Sequence, residues 1–340
     1  MATLIKDVLE SELGTIEPVA EKLRSIAALG YRSAEQFAGV AKVARPAMES
    51  YLRADVSELL DILRPDPLPE TEFNVVYSTD YGLGADIASL PAASFFAPDV
   101  FLAEDGIPGS VDFTLDMPEI RNQNPRGTCI AHAAVAVFEH FRRKQEAVVD
   151  LSEQFLTFIC KKNDKLPHQE GTRLSIAFSR LVIDGCCREE TWPYNNQSNP
   201  CNWGQGPPPQ GAIGEAETFR IPGLKRLPQN DVNALKTVLA SGRAIAFTIP
   251  AYKSWFCNDE VKISGNIVIP PPGDEFVGGH AMCMVGYRDM ADASDLGGGV
   301  FLIRNSWGDR WGLTSAVKGY GTVPYRFITN SCVEAFTIDA

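Results

Sequence analysis

Three short stretches, far apart in the chain, constrain its fold more than any other feature. They are Gln123-Asn-Pro-Arg-Gly-Thr-Cys129, Gly278-Gly279-His280-Ala281 and Arg304-Asn305-Ser306-Trp307-Gly308. In order they supply an amide, a thiol, an imidazole and a second amide. Thiol-based nucleophilic chemistry needs those four groups in one cleft. A fold that gathers them must bring the thiol and the imidazole together on different elements, with the cleft between.

The texture around each stretch says which elements these are. Ile130, Ala133, Ala134, Val137, Phe138 and Phe141 recur at i, i+3, i+4 spacing, so a buried helix begins at Thr128 or Cys129. Helices also fit residues 152–159 and 173–183. After Arg226 the pattern changes, and residues 244–249, 280–287 and 300–304 read as short apolar or alternating strands. Helices first and strands later give an α+β protein with a helical half and a sheet half.

Residues 1–66 read as a separate, small all-α region. Leu4, Ile5, Val8 and Leu9 follow helical spacing, as do Ile16, Val19, Leu23 and Ile26, and Gly30 stops the second helix. Ser33 with Gln36 and Asp55 with Glu58 have the spacing of capping boxes. Residues 67–107 are rich in proline, which excludes long helices. A short strand fits residues 73–77. Residues 94–102 are apolar and extended, unlike a solvated linker. They are expected to lie against the cleft downstream and to block it. From about residue 108 to 340 the chain is compact and mixed.

Composition excludes several classes. A net charge of −12 over 340 residues argues against nucleic-acid or anionic-membrane partners, which need a basic face. No apolar run is long enough to span a bilayer. The first ten residues lack the basic and apolar parts of a signal peptide, and eight scattered cysteines fit a reduced cytoplasmic setting. Signal-independent export leaves no mark in a sequence. Cys129 with His132, and His280 with Cys283, have the residue types of a zinc site. However, positions i and i+3 of a strand point to opposite faces, and there is no Cys-x-x-Cys pair. No metal or cofactor is expected.

Cys129 at a helix start has unpaired N–H groups and the positive end of the dipole beside it, and both favour thiolate. Gln123 can reach back across the turn, so that its amide and the Cys129 N–H form an oxyanion hole. Of four histidines, His132 and His140 share the helix of Cys129, and His168 lies in a polar loop. That leaves His280 as the base. Asn305 can hold its ring, and Trp307 can cover that hydrogen bond from water.

Together these residues resemble the papain-like (cathepsin-type, C1) cysteine peptidases over residues 108–340. Leu151-Ser152-Glu153-Gln154, Trp192-Pro193-Tyr194 and Gly242-Arg243-Ala244-Ile245-Ala246 resemble further family segments. The resemblance implies two lobes, one helical and one barrel-like, with Cys129 and His280 facing across a cleft. It implies hydrolysis of peptide or protein substrates through an acyl-enzyme: Cys129 attacks as thiolate beside protonated His280, with Asn305 orienting and Gln123 stabilising the oxyanion. Gly171 and Thr172 would pair with an extended substrate, and Phe247 would line its apolar pocket. The same groups also serve amidases and acyl transferases, and a catalytically weak partner-binding protein is the further alternative. Arg126 and Ile130 depart from the family's Cys-Gly-Ser-Cys-Trp, so one family disulfide cannot form. Cys160 and Cys201 fall near positions of another, and are expected to be reduced or only conditionally paired. The usual inhibitory helix pattern is not evident in residues 1–107. That region is expected to be an unusual inhibitory pro-segment or a regulatory module, with its helices open to a protein partner.

Overall fold

The computed structural model describes residues 3–66, 81–87 and 106–339. The expected strand at 73–77 and the apolar stretch 94–102 lie outside the described residues.

The N-terminal region holds α1 (Ile5–Glu10), α2 (Glu17–Ala28), α3 (Ala34–Val43), α4 (Arg45–Leu52) and α5 (Val56–Leu63). The capping signals act where the sequence puts them. Ser33 Oγ accepts the Gln36 N–H, and Asp55 Oδ1 accepts the Ser57 N–H at 2.8 Å. Gln36 reaches back to the N–H of Arg32, one residue beyond the Ser33 N–H of the expected box. Leu23, Ile26, Phe37, Val40, Met48, Val56, Leu59 and Leu63 are buried among these helices.

The helical region docks on the sheet half of the molecule. The Tyr31 hydroxyl donates to Ile269 O at 2.8 Å, and the Arg326 guanidinium donates to Ala28 O at 2.7 Å. Arg32 pairs with Asp295 and Lys42 with Asp259. Much of the adhesion is apolar and steric, since both halves belong to one continuous core cluster.

Downstream come β1 (Ser110–Asp112), α6 (Cys129–Lys144), α7 (Glu153–Asn163), α8 (Leu174–Ile183) and α9 (Ala212–Ala216). Then follow β2 (Leu224–Arg226), α10 (Val232–Ala240), β3 (Ile245–Tyr252), α11 (Lys253–Phe256) and α12 (Asp259–Ser264). The chain ends with β4 (Phe276–Asp289), β5 (Gly299–Arg304), β6 (Tyr320–Pro324), α13 (Tyr325–Ser331) and β7 (Glu334–Ile338). The strands form one antiparallel sheet in the order β2-β7-β3-β4-β5-β6, with β1 added on β4.

α6 is the axis of the helical half. Its first twelve residues are all buried, while Arg142, Arg143 and Lys144 fill the last turn, where cations complement the helix dipole. α6 packs on β4, and the Cys283 thiol donates to Ala133 O at 3.2 Å. This contact fixes the N-terminus of α6 against the first half of β4. The thiol is thereby brought to the strand that carries the imidazole.

Candidate active site

Cys129 is the first residue of α6 and is fully buried. Thr128, at the N-cap, makes no side-chain cap bond, so the first N–H groups of the helix stay directed at the cleft. The sulfur meets backbone N–H groups of Ala281, Gly84, Ile130 and Cys129 itself. Ala281 follows His280 on β4, so the thiol abuts the histidine-bearing strand. His280 Nε2 lies 2.8 Å from Asn305 Oδ1. The Ser306 N–H donates to the same oxygen, which orients the Asn305 amide and makes Nε2 the donor. His280 Nδ1 is buried with no hydrogen-bond partner, leaving it as the ring atom able to exchange a proton with the thiol. Trp307 stacks on the imidazole, centroids 4.4 Å apart, and is itself buried.

The first and third motifs are hydrogen-bonded to each other. The Gln123 N–H donates to Ser306 O at 2.8 Å, and the Ser306 hydroxyl donates to Gln123 Oε1 at 2.5 Å. That hydroxyl turns the Gln123 NH2 group toward the cleft, where it donates to Arg126 O at 2.7 Å and to Gly82 O at 2.9 Å. Ser306 is a positioning residue that the sequence reading left without a role.

The cleft is occupied by the chain's own residues 81–87. Tyr81 stacks on Trp307 at 4.9 Å. The Gly82 N–H donates to Asn124 O, the Thr172 N–H to Gly84 O, the Ala85 N–H to Gly279 O and the Asp86 N–H to Thr172 O. The segment therefore bonds to both walls, and Ala85 forms a parallel bridge with Thr172. Only glycine fits at two points. A Cβ on Gly82 would lie 1.9 Å from Arg126 O, and one on Gly84 would lie 1.9 Å from Gly127 O. Residues 81–87 drew no expectation from the sequence, and the stretch expected to cover the cleft, 94–102, lies outside the described residues. The available signal was Gly82-Leu83-Gly84-Ala85, a run small enough for backbone to lie on backbone.

Burial under this segment sets the protonation states. It pushes the Cys129 thiol up to about 11, against the partial relief from the Ala281, Gly84 and Ile130 N–H groups. It pulls His280 down to about 4, against the partial support of its bond to Asn305. In the covered cleft the pair is a neutral thiol and a neutral imidazole. The thiolate–imidazolium pair implied by the resemblance requires solvent or substrate in place of residues 81–87.

Residues 107–333 match the papain family cysteine protease domain. The chain belongs to that family. Rat (Rattus norvegicus) cathepsin J is 27% identical over 216 residues, 63% of this chain and 60% of its own length. Fruit bromelain of Ananas comosus is 27% identical over 269 residues, 76% of this chain and 67% of its own. The chain thus spans less than two thirds of cathepsin J. Among solved structures, xylellain, a cysteine protease from Xylella fastidiosa, superposes with a TM-score of 0.63 at 24% identity, covering 78% of this chain and 98% of that one. A Carica candamarcensis cysteine protease in complex with E-64 superposes with a TM-score of 0.50 at 21% identity, covering 68% and 99%. The papain-like α+β fold is common to all.

Within this papain-family domain, Arg126 stands where the resemblance puts the upstream cysteine. It is buried, its Nε donates to Glu170 Oε1 at 2.6 Å, and its Nη1 donates to Gln154 Oε1 at 2.7 Å and to Asn195 O at 2.5 Å. The other Glu170 oxygen accepts the Gly127 N–H at 2.8 Å. An ion pair therefore ties the loop that leads to Cys129 to the loop of Gly171 and Thr172 without a disulfide. Cys160 and Cys201 are both free, the first buried and the second exposed.

Phe247 is buried on β3. Its register partners are Met282 and Ala335, whereas Thr248 pairs with Ala281 and Glu334. His280 pairs with Ile249, so Phe247, two residues away on β3, lies on the same face of the sheet as the His280 side chain, and Thr248 lies on the other. The remaining histidines stand apart from the thiol–imidazole pair. His132 Nδ1 lies 3.0 Å from Thr128 O, His140 stacks on Phe113, and His168 is exposed.

Proposed function

We propose that this chain hydrolyses peptide bonds through an acyl-enzyme on Cys129, and that residues 81–87 keep the cleft closed until they are displaced. The observation that carries the reading is the His280 ring: Nε2 is held by Asn305, and Nδ1 is unpartnered beside a thiol at a helix N-terminus.

In the open cleft His280 Nδ1 takes the Cys129 proton, and the sulfur adds to the substrate carbonyl carbon. Gln123 Nε2 and the Cys129 N–H hold the oxyanion. Collapse breaks the C–N bond, and the proton on His280 goes to the leaving amine. Water then adds to the thioester, losing its proton to His280, and the acid leaves as the thiol reforms. Gly171 and Thr172 supply the backbone edge for an extended peptide.

Residues 81–87 are suited to blocking rather than to cleavage. The Gly84 N–H faces the sulfur, so the thiol meets a donor instead of an electrophilic carbon. Helices α1–α5, docked on the sheet lobe through Tyr31, Arg32 and Lys42, anchor the chain that leads into the cleft.

The test is peptide-level mass spectrometry after treatment with a peptidyl epoxide, with peptide hydrolysis followed in parallel. Labelling confined to Cys129, and hydrolysis lost in Cys129→Ala, is the expected result. Hydrolysis that survives in Cys129→Ala would remove the nucleophile. An added amine acceptor appearing in the products would make the enzyme a transferase.

A further inference from the structure

Arg173 caps α8 and directly follows Thr172 in the cleft wall. Its Nε donates to Asp86 Oδ2 at 2.8 Å, and the two side chains are 17% and 6% exposed. The same Asp86 gives its backbone N–H to Thr172 O. A carboxylate and a guanidinium therefore meet where the backbone of the covering segment lies on the substrate edge. The partners have different fates. Arg173 belongs to the catalytic wall, and Asp86 belongs to the segment that leaves. Glu334, the buried carboxylate at the start of α8, accepts the Leu174 and Ser175 N–H groups instead.

Resting on the peptidase reading above, we infer that Arg173 is a specificity-determining residue that selects peptides carrying Asp or Glu where Asp86 now sits, and that Asp86 is its internal stand-in. Ala85 brackets Thr172, so Asp86 lies one step further from Cys129 along the cleft. A substrate running antiparallel to the wall, opposite to the parallel course of residues 81–87, would occupy that step with the residue preceding the one that pairs with Thr172. Arginine keeps its charge at every working pH, and its fork suits a carboxylate. Charge complementarity in a partly desolvated wall separates acidic from neutral side chains and repels basic ones. The pairing also explains why the covering segment carries an aspartate beside residues otherwise small or apolar.

The experiment uses the full chain and three peptidyl epoxides that differ only in the side chain over Arg173: Glu, Gln or Lys. The rate of Cys129 labelling is read at peptide level in wild type, Asp86→Ala, Arg173→Lys, Arg173→Gln and Arg173→Glu, each checked by its thermal melt. We expect the Glu probe to label about tenfold faster than the Gln probe, with the Lys probe slowest. Asp86→Ala should raise all three rates and keep their order. Arg173→Lys should keep the preference, Arg173→Gln should flatten it and Arg173→Glu should reverse it. An unchanged order of rates in folded Arg173→Gln and Arg173→Glu, with Cys129 still labelled, overturns the specificity and leaves the peptidase reading standing. No labelling of Cys129 by any probe, in wild type or Asp86→Ala, removes the peptidase reading and this inference with it.

Discussion

The Gln123 side-chain amide donates to the carbonyl of Gly82 at 2.9 Å, across 41 positions of sequence. The group assigned to the oxyanion is thus already satisfied by the chain's own backbone. The same residue is fixed from behind by the Ser306 hydroxyl. Under the proposed mechanism, catalysis and closure of the cleft would draw on one side chain held in one orientation.

Opening the cleft should need no change in the protease domain. Gly84→Ala puts a methyl group where Gly127 O lies 1.9 Å away, so residues 81–87 cannot stay seated. We expect Cys129 labelling by a peptidyl epoxide to rise at least about tenfold over wild type, since a few kcal/mol of strain shifts a closed population by that much. Equal rates would show that this segment does not control access.

Gln123→Ala should lower turnover by about two to three orders of magnitude, the usual effect of losing an oxyanion donor. Ser306→Ala should act on the same step but more weakly, because it frees the amide to rotate without deleting it. The double variant should be no worse than Gln123→Ala alone, a non-additivity expected of residues that work as a unit. Steady-state kinetics in the Gly84→Ala background measures all three.

Thiol reactivity should depend on pH differently in closed and open chains. With Cys129 pushed up to about 11, only about one molecule in a thousand is thiolate at pH 8, so iodoacetamide labelling of the closed chain should climb as pH rises toward 11. Readmitted solvent and a protonated His280 stabilise the thiolate, so Gly84→Ala should move that rise to lower pH. Identical profiles would mean that burial under residues 81–87 is not what holds the thiol neutral.

The Arg126–Glu170 pair should be structural as well as positional. Removing one partner of a buried pair leaves the other charge uncompensated, at about 3–5 kcal/mol. Arg126→Ala and Glu170→Gln should each lower the urea midpoint strongly, whereas reductant should not, since all eight cysteines are free. A reductant-sensitive midpoint would point to a disulfide in the folded protein.

Burial, reinforced by neighbouring Glu139 and Glu189, pushes the Glu153 carboxyl well above its ordinary value. A proton is then held in the folded state that the unfolded chain has already released. Stability from this group is complete at acid pH and declines as pH rises from the ordinary carboxyl value through the raised one. Urea midpoints should therefore be lower at pH 8 than at pH 5, and Glu153→Gln should reduce the difference. A slope unchanged by the substitution would assign the effect to other groups.

Much of this protein was legible along the chain because local rules are strong there. The α6 helix, the caps at Ser33, Ser152 and Asp55, and the Cys129, His280 and Asn305 motifs follow from periodicity, side-chain length and acid–base character. These properties belong to single elements and survive being read alone. What depends on two elements meeting was not legible. Phe247 and the His280 side chain share a face of the sheet, and only the register of β3 with β4 says so. Ser306 has a role only because Gln123 lies against it, and Arg126 only because Glu170 does. Residues 81–87 carry no helix or strand period at all. Their place comes from close backbone approach to Thr172, Gly127 and Gly279, which sequence records merely as small side chains. The sequence determined the chemical groups. Tertiary structure decided which are aligned, which are buried and which are covered, because distance, register and desolvation exist only once the elements have packed.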